Sequence, residues 1–410
     1  MATLQDNSEA VEAPVEDRRA LYILLAVIFI NIAGFGVVIP LLPFYAKSFG
    51  APAWQVFLLF SAYSLGNFFA EPFWGRLSDR IGRRPVLMLT IFGNAATYLA
   101  LCFAPNLWVA FAIRFCGGIL TGNISTIQGY LADVTPQEKR AGRLGLMGAA
   151  FSLGFVTGPS IGGLLANEAA GLAGFRPPLL VASAFAMTAG LGVALFVRET
   201  RHRHSDAPRR GRFDGLNDAL AHPVIWRVLL VSLISIFGFA GMEATFGLWA
   251  KAKFDWGPRE IGFCFLAIGG TAALAQSILT GFLARRLGET TTLIIGLVLI
   301  AIGFSIQPLV NAWPFAVFGM IIVALGQSLS FPNIGAILSK AAPADRQGEM
   351  LGLNSAAGAL ARIIGPLAAA PRGAGAEGCR AETMAKPSAR VFAGSSGENE
   401  PRQSPGGRPV

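Results

Sequence analysis

Charged side chains are scarce in this sequence. Only 14% of its 410 residues are Asp, Glu, Lys or Arg, whereas 53% are hydrophobic; a soluble domain carries about 25% charged residues. A chain of this composition cannot bury all its apolar surface in one globular core, so lipid is the expected solvent for much of it. The composition predicts an all-α integral membrane protein and argues against a soluble globular one.

Side chains that would bind metals or cofactors are also few. The four cysteines form no C-x-x-C pair. His202 and His204 form a His-x-His pair, but they lie in a basic stretch without further ligands nearby, so we interpret it as a solvated linker rather than a metal site. No G-x-x-x-x-G-K-[ST] sequence is present, which argues against an ATP-driven pump. No loop gathers a nucleophile, a base and an orienting acid, so we expect no enzyme, no metal and no cofactor.

Eleven apolar runs are each about long enough to cross a bilayer as a helix. These predicted spans 1 to 11 cover residues 21–45, 54–75, 86–104, 107–131, 143–166, 178–197, 226–250, 260–284, 291–309, 313–338 and 348–370. Lys and Arg concentrate in the loops after the even-numbered spans, which places those loops and the N-terminus in the cytoplasm. The net charge of +9 thus reflects membrane topology, and we expect no nucleic-acid partner.

The chain is predicted to consist of two helical bundles and three polar segments. These are an N-terminal cytoplasmic segment, a six-helix bundle, a cytoplasmic linker, a five-span bundle and a polar tail, at residues 1–20, 21–197, 198–225, 226–370 and 371–410. The halves repeat: the stretch from Pro136 matches that from Pro343 at an offset of 207, and the stretch from Gly75 matches that from Gly281 at 206. Parallel six-helix repeats predict a substrate path between the halves, near the midplane.

The segment between spans 2 and 3 reads GRLSDRIGRRP. Its glycines allow tight turns and close helix approach, and its Asp can accept hydrogen bonds from a helix end or pair with an Arg. It resembles the G-x-L-x-D-R-x-G-R-R loop of the major facilitator superfamily, which latches the cytoplasmic side between the halves in the outward-open state. The second copy, GFLARRLGE, has Arg285 in place of the acid. The resemblance implies a latch formed by Gly75, Asp79, Arg80, Gly82, Arg83 and Arg84; the alternative is a basic loop that only sets topology.

Span 5 contains the sequence GFVTGPSIGG. Its glycines form small-xxx-small faces for helix packing, and its proline favours a bend. The arrangement resembles the G-x-x-x-G-P-x-x-G-G motif found in exporters of the superfamily and generally absent from its importers. The residues that match this antiporter motif are Gly154, Gly158, Pro159, Gly162 and Gly163.

Three ionisable residues lie deep inside predicted spans: Arg114, Glu243 and Arg362. Charges are costly there, so each is a functional candidate, and the repeat does not duplicate them. Desolvation favours a protonated carboxyl, whereas a nearby arginine favours the carboxylate. We therefore predict that Glu243 carries a proton and that all three take part in proton coupling, as the resemblance of RFCGG around Arg114 to the superfamily's span-4 motif also implies. A static ion pair is the alternative. Glu71, nearer the end of span 2, is expected to reach water.

Four polar side chains within the spans are candidates to line a substrate cavity: Asn31, Asn123, Gln128 and Gln276. Bridging between helices is an equally good interpretation. The context of Asn31, NIAGFGVVIPLLPFYA, resembles span 1 of tetracycline exporters, which carry Asp at this position. Because Asn cannot titrate, the resemblance leaves the substrate open.

Residues 371–410 depart from the resemblance, which covers roughly residues 15–370. No apolar run in them exceeds three residues, so nothing there is expected to span a bilayer where the superfamily has a twelfth helix. A reading-frame change and a natural disordered tail both fit this segment. We expect the chain as given to be poorly stable and weakly active or inactive.

The sequence as a whole resembles the drug:proton antiporter branch of the superfamily. This implies a monomeric exporter of small amphipathic molecules or drugs that works by alternating access, with protons as its second substrate, in a cell membrane such as the bacterial inner membrane. The alternatives are a superfamily importer of a small organic solute and a truncated inactive transporter.

Overall fold

The computed structural model describes residues 18–135, 137–199, 214–343 and 347–369. The described residues form helices and turns, with no strand among them. A helix covers each of the eleven predicted spans, and the prediction of an all-α membrane bundle is confirmed. The N-terminal segment 1–17, the histidine pair of the linker and the tail 371–410 lie outside the described residues.

The spans have the following bounds in chain order. Span 1 comprises Arg18–Val38, the 3₁₀ turn Ile39–Leu41 and Leu42–Lys47; span 2 is Ala53–Ile81; span 3 is Arg83–Leu101; span 4 comprises Leu107–Thr121 and Ile124–Asp133; span 5 is Gln137–Leu165; span 6 is Arg176–Phe196, preceded by Glu168–Phe175; span 7 is Pro223–Phe254; span 8 comprises Pro258–Leu274, the π-helical segment Ala275–Thr280 and Gly281–Leu287; span 9 is Glu289–Ile306, followed by the 3₁₀ turn Gln307–Leu309; span 10 is Trp313–Ala341; span 11 is Gln347–Ala369.

Nine helical stretches among the described residues are long and apolar enough to cross a membrane. Spans 2 and 3 are helices of 29 and 19 residues but less apolar than these nine. A further helix, Asp214–Ala221, occupies part of the predicted linker. Its Ala219 is fully buried in a cluster with residues of spans 7, 9 and 10, so this part of the linker packs on the C-terminal half.

The sequence GRLSDRIGRRP is helical over most of its length, which corrects the prediction that it fills a loop. Span 2 continues to Ile81, and the turn to span 3 consists of Gly82, whose φ of 109° suits glycine. Gly75 lies inside the helix and makes no turn. It lets span 4 approach, because a Cβ on it would lie 3.1 Å from Ser125 Oγ. At an offset of 206, Gly288 has a φ of 82° and makes the matching turn between spans 8 and 9.

We call the end of the bundle that carries Gly82 and Gly288 the loop face, and the opposite end the far face. At the far face, one apolar cluster joins the two halves: it contains Val37 and Phe44 of span 1 together with Phe246 of span 7 and Ile261 of span 8. At the loop face, each half has a cluster of its own. One contains only residues of the N-terminal half and the other only residues of the C-terminal half. The halves therefore share a core at the far face and have separate cores at the loop face.

Candidate transport site between the two halves

Span 5 packs against span 1 of its own half and against span 8 of the other half. Cβ atoms on Gly154, Gly158 and Gly162 would collide with the backbone of span 1, at Phe29 O, Ala33 O and Val37 O respectively. Gly163 points to the other half, where a Cβ would collide with Pro258 O and Gly262 of span 8. The motif therefore places three glycines in the packing of one half and a fourth in the contact between halves.

Glu243 lies at the position on span 7 that corresponds to Gly36 on span 1. In the N-terminal half, a Cβ on Gly36 would lie 2.8 Å from Pro159 Cδ, so no side chain fits there. In the C-terminal half, Gly365 of span 11 packs on span 7, with its Cβ position 2.7 Å from Phe237 O. The same helix pairing thus occurs in both halves, but only the second has room for a carboxylate.

The Glu243 side chain is half-buried in this pairing and incompletely hydrogen-bonded. Its Oε1 atom has no hydrogen-bond partner among the described residues. Arg362 of span 11 is the cation within electrostatic range of it. The same arginine is also within range of Glu71 and Tyr63 of span 2, in the other half. Arg362 is therefore within electrostatic range of two carboxylates from opposite halves.

Glu71 is deeper in the bundle than its sequence position suggests. The sequence placed it about one turn from the end of span 2, but the helix continues for ten residues beyond it, to Ile81. At 1.5 Å per residue, this puts Glu71 about 15 Å from the loop-face end of the helix. The extension occurs because residues 76–81 contain no helix breaker, and their charged side chains can extend from the end of the helix into water.

Arg114 of span 4 lies in the N-terminal half and is only 4% exposed. Its guanidinium carbon is 4.3 Å from the centre of the Tyr63 ring, a cation–π contact. Its Nε atom has no hydrogen-bond partner among the described residues. Tyr63 is thus within electrostatic range of both arginines, Arg114 and Arg362. The structure brings Arg362 within electrostatic range of Glu243, and it places Arg114 against the Tyr63 ring.

Two of the four predicted cavity residues make hydrogen bonds between helices. Asn94 Nδ2 donates to Asn31 Oδ1 at 3.5 Å, and Asn123 Nδ2 donates to Thr90 Oγ1 at 3.0 Å, at the point where span 4 is broken. Both contacts join helices of the N-terminal half. A role for either asparagine in substrate binding stays a prediction.

The other two predicted cavity residues lie in different surroundings. Gln128 is exposed, whereas Gln276 is partly buried in the π-helical segment of span 8. That segment is tied to span 10, because Thr280 Oγ1 donates to Ser328 O at 3.0 Å. Sequence analysis missed Gln327 of span 10, whose amide N and O atoms are both buried without a partner among the described residues. The sequence could have indicated this residue, because it is a lone glutamine in an apolar run.

Arg83 is the centre of the contacts made by the sequence GRLSDRIGRRP, residues 75–85, which we call the loop-face motif. Its guanidinium forms an ion pair with Asp79, donates to Ser78 Oγ at 2.7 Å and reaches Asp133 at the end of span 4, where Nε and Oδ2 are 3.3 Å apart. A Cβ on Gly129 would lie 2.6 Å from the guanidinium carbon, so this glycine makes room for the arginine. In this structure Asp79 therefore pairs within its own half.

Glu199, which follows span 6, caps the start of span 3. Its two carboxylate oxygens accept hydrogen bonds from the backbone N–H groups of Arg83 and Arg84, at 2.9 and 3.1 Å. A carboxylate at this position satisfies free N–H groups and complements the helix dipole. Neither Glu199 nor Asp133 was a candidate from the sequence, since both lie far along the chain from the motif that they hold.

The profile of the Major Facilitator Superfamily matches residues 24–369 of this sequence. The chain belongs to this superfamily. Tetracycline resistance protein, class C, of Escherichia coli is 31% identical over 363 residues, which cover 86% of this chain and 89% of that protein. Multidrug resistance protein 2 of Bacillus subtilis (strain 168) is 27% identical and covers 86% of this chain and 88% of its own length.

Solved structures of superfamily transporters have the same fold. The human organic anion transporter MFSD10 (TETRAN) is 24% identical with a TM-score of 0.64, over 87% of this chain and 94% of that one. A bacterial homolog to the human lysosomal transporter Spinster is 16% identical with a TM-score of 0.71, over 85% of this chain and 81% of that one. This chain is therefore a multi-pass membrane transporter of the superfamily, and its relatives are transporters rather than enzymes.

Proposed function

We propose that this chain exports small amphipathic molecules or drugs in exchange for protons, by alternating access. The observation that carries the proposal is the half-buried Glu243, whose Oε1 atom has no hydrogen-bond partner among the described residues and which lies within electrostatic range of Arg362, in a bundle whose relatives include tetracycline and multidrug resistance proteins. An intramembrane carboxylate without a full set of hydrogen bonds is suited to gain and lose a proton. The span-5 glycines support export, because the motif they match is typical of exporters.

In this proposal, the proton competes with Arg362 for the carboxylates. When Arg362 is near Glu243, the carboxylate form is favoured and the proton leaves; when rocking moves Arg362 toward Glu71, the protonated form of Glu243 is favoured. Because Arg362 and Glu71 belong to different halves, relative motion of the halves changes their separation. This links proton loading to the conformational change. Arg114 acts through Tyr63, which is within electrostatic range of both arginines.

The arrangement of the cores supports a bundle that opens at the loop face. Alternating access requires two states, each open at one end of the bundle. A shared far-face core and separate loop-face cores suit the state that is open at the loop face. We propose that the loop face is cytoplasmic, as the distribution of Lys and Arg predicts. In the C-terminal half we propose that substrate contacts Gln327, whose buried amide has no partner among the described residues, and Gln276.

Transport by the purified full chain in liposomes tests the proposal. Tetracycline and ethidium serve as probes, with an imposed pH gradient and a protonophore as the control that removes it. Although the sequence predicts weak activity for the chain as given, we expect uphill accumulation of at least one probe above the level in protein-free liposomes, and collapse of that accumulation when the protonophore is added. Uphill transport that does not respond to the gradient would rule out proton exchange, and transport of neither probe would remove the support for drug export.

A further inference from the structure

A cleft of about 670 Å³ opens at the loop face, away from the interface between the halves. It lies where spans 1 and 3 begin and span 6 ends, and it is lined by both polar and apolar side chains, among them Tyr22, Arg84, Leu195, Phe196, Arg198 and Glu199. None of the residues assigned to proton coupling lines it. Its chemistry therefore calls for a separate explanation.

The cleft offers cationic hydrogen-bond donors that are not fully used. Arg84 donates one terminal N–H to Ala194 O, but its Nε is buried without a partner among the described residues. Arg198 is exposed at the edge of the cleft. The acid of the cleft, Glu199, directs both oxygens to the backbone N–H groups that begin span 3, which offset its charge. The two arginines thus leave the cleft positively charged, and arginine binds phosphate groups well.

The rim of the cleft is apolar and exposed. The exposed fractions of the side chains are 65% for Tyr22, 73% for Leu195 and 58% for Phe196. Such surface is unfavourable in water but suits the boundary between lipid tails and headgroups, where Tyr is common. A soluble phosphate compound would use the arginines and leave this rim uncovered.

We propose that the cleft binds an anionic phospholipid, with its phosphate on Arg84 and Arg198 and its acyl chains along Leu195 and Phe196. Basic pockets between membrane helices bind anionic headgroups in this way. A lipid held here lies beside the turn at Gly82.

Lipid binding to the full chain in detergent can be measured by native mass spectrometry. Phosphatidylglycerol is compared with phosphatidylcholine of the same acyl chains, for the wild type, Arg198→Gln and the matched control Arg285→Gln. Arg285 is an exposed arginine at the same face of the other half. We expect the wild type to prefer phosphatidylglycerol, and Arg198→Gln to weaken that binding about fivefold. Arg285→Gln should bind as the wild type does.

Three results would overturn the proposal. They are equal binding of the two lipids by the wild type, equal loss in both variants, and displacement of phosphatidylglycerol by an equal concentration of glycerol 3-phosphate. The first comparison needs no variant, so it decides the question even if Arg198→Gln folds poorly. The last result would assign the cleft to a soluble phosphate compound instead.

Discussion

At the scale of single residues, the two halves differ most at the position shared by Gly36 and Glu243. Span 5 packs so tightly on span 1 that only glycine fits at the first position, whereas the second holds a half-buried carboxylate. The internal repeat indicates this difference from the sequence alone, because an offset of 207 residues aligns the two positions. The repeat does not indicate which residue lies within electrostatic range of Glu243. The sequence also did not indicate that Arg362 comes within electrostatic range of Glu71, because the end of span 2 was placed too early.

The contacts of the loop-face motif show a second limit of prediction from the sequence. Arg83 was a candidate because its own segment matches a known pattern. Its acidic partner Asp133 and the cap Glu199 belong to other helices, and no local pattern relates them to it. Contacts across such sequence distances depend on how the helices pack, which composition and periodicity do not determine.

We predict that Glu199→Ala lowers the stability of the protein by about 0.5–2 kcal/mol, as loss of a helix cap does. The reason is that two backbone N–H groups at the start of span 3 lose their acceptor. Glu199→Gln keeps one side-chain carbonyl oxygen, so it should lose less. Unfolding of the detergent-solubilised variants by denaturant, followed by circular dichroism, measures both. Equal stability of wild type and Glu199→Ala would show that the cap contributes nothing.

At the scale of helices, the sequence predicted the position of every span but not their interruptions. The apolar run of span 4 continues through Gly122 and Asn123, where the helix is broken. The Asn123 side chain bonds to Thr90 at this break, a contact with another helix that the run itself does not reveal. The π-helical segment of span 8 was missed for a similar reason. Its extra residue is accommodated by contacts with span 10.

Gly163 on span 5 provides a test of the contact between halves. Gly163→Ala places a methyl group against Pro258 O and Gly262 of span 8, and such overpacking costs about 1–3 kcal/mol. We predict that it opens the far face. Distances between spin labels at the exposed far-face residues Phe103 and Leu309 should gain a longer component.

The matched control for this variant is Gly270→Ala on span 8. A Cβ at Gly270 has no atom within 4 Å, so the same chemical change should leave the distances unaltered. If both variants give the wild-type distribution, Gly163 is not a determinant of the closed far face.

At the scale of the whole molecule, the two halves behave as separate bundles joined at one end. The internal repeat predicted this division, but which end is closed depends on how side chains of both halves interlock. Phe246, Ile261 and Val37 meet in one cluster, although they are far apart in sequence and their local patterns are alike. Nothing in a single amphipathic pattern distinguishes such a residue from one that packs within its own half.

The role of Asp79 as a latch is a prediction at this scale. In the present arrangement Asp79 pairs with Arg83 of its own half, and its side chain is 59% exposed. A contact with the other half therefore belongs to the state in which the loop face is closed. We expect Asp79→Asn to disfavour that state by about 1–3 kcal/mol, a typical coupling energy.

Spin labels at Ile81 and Leu287, which end the matching helices of the two halves, report the loop-face separation. Asp79→Asn should increase the population at the longer distance. Asp255→Asn, at an exposed carboxylate of the far face, is the control. Distances in Asp79→Asn that match those of the wild type and the control would leave the segment with a role in topology alone.

The most direct test of proton-coupled export compares two modes of transport in Glu243→Gln. Substrate exchange without a pH gradient needs binding and rocking, whereas uphill transport also needs a residue that gains and loses a proton. Glu289→Gln makes the same change at a loop-face ion pair with Lys340 and serves as the control. We predict that Glu243→Gln keeps exchange and loses uphill transport driven by the gradient, while the control keeps both. Undiminished uphill transport by Glu243→Gln would contradict the account.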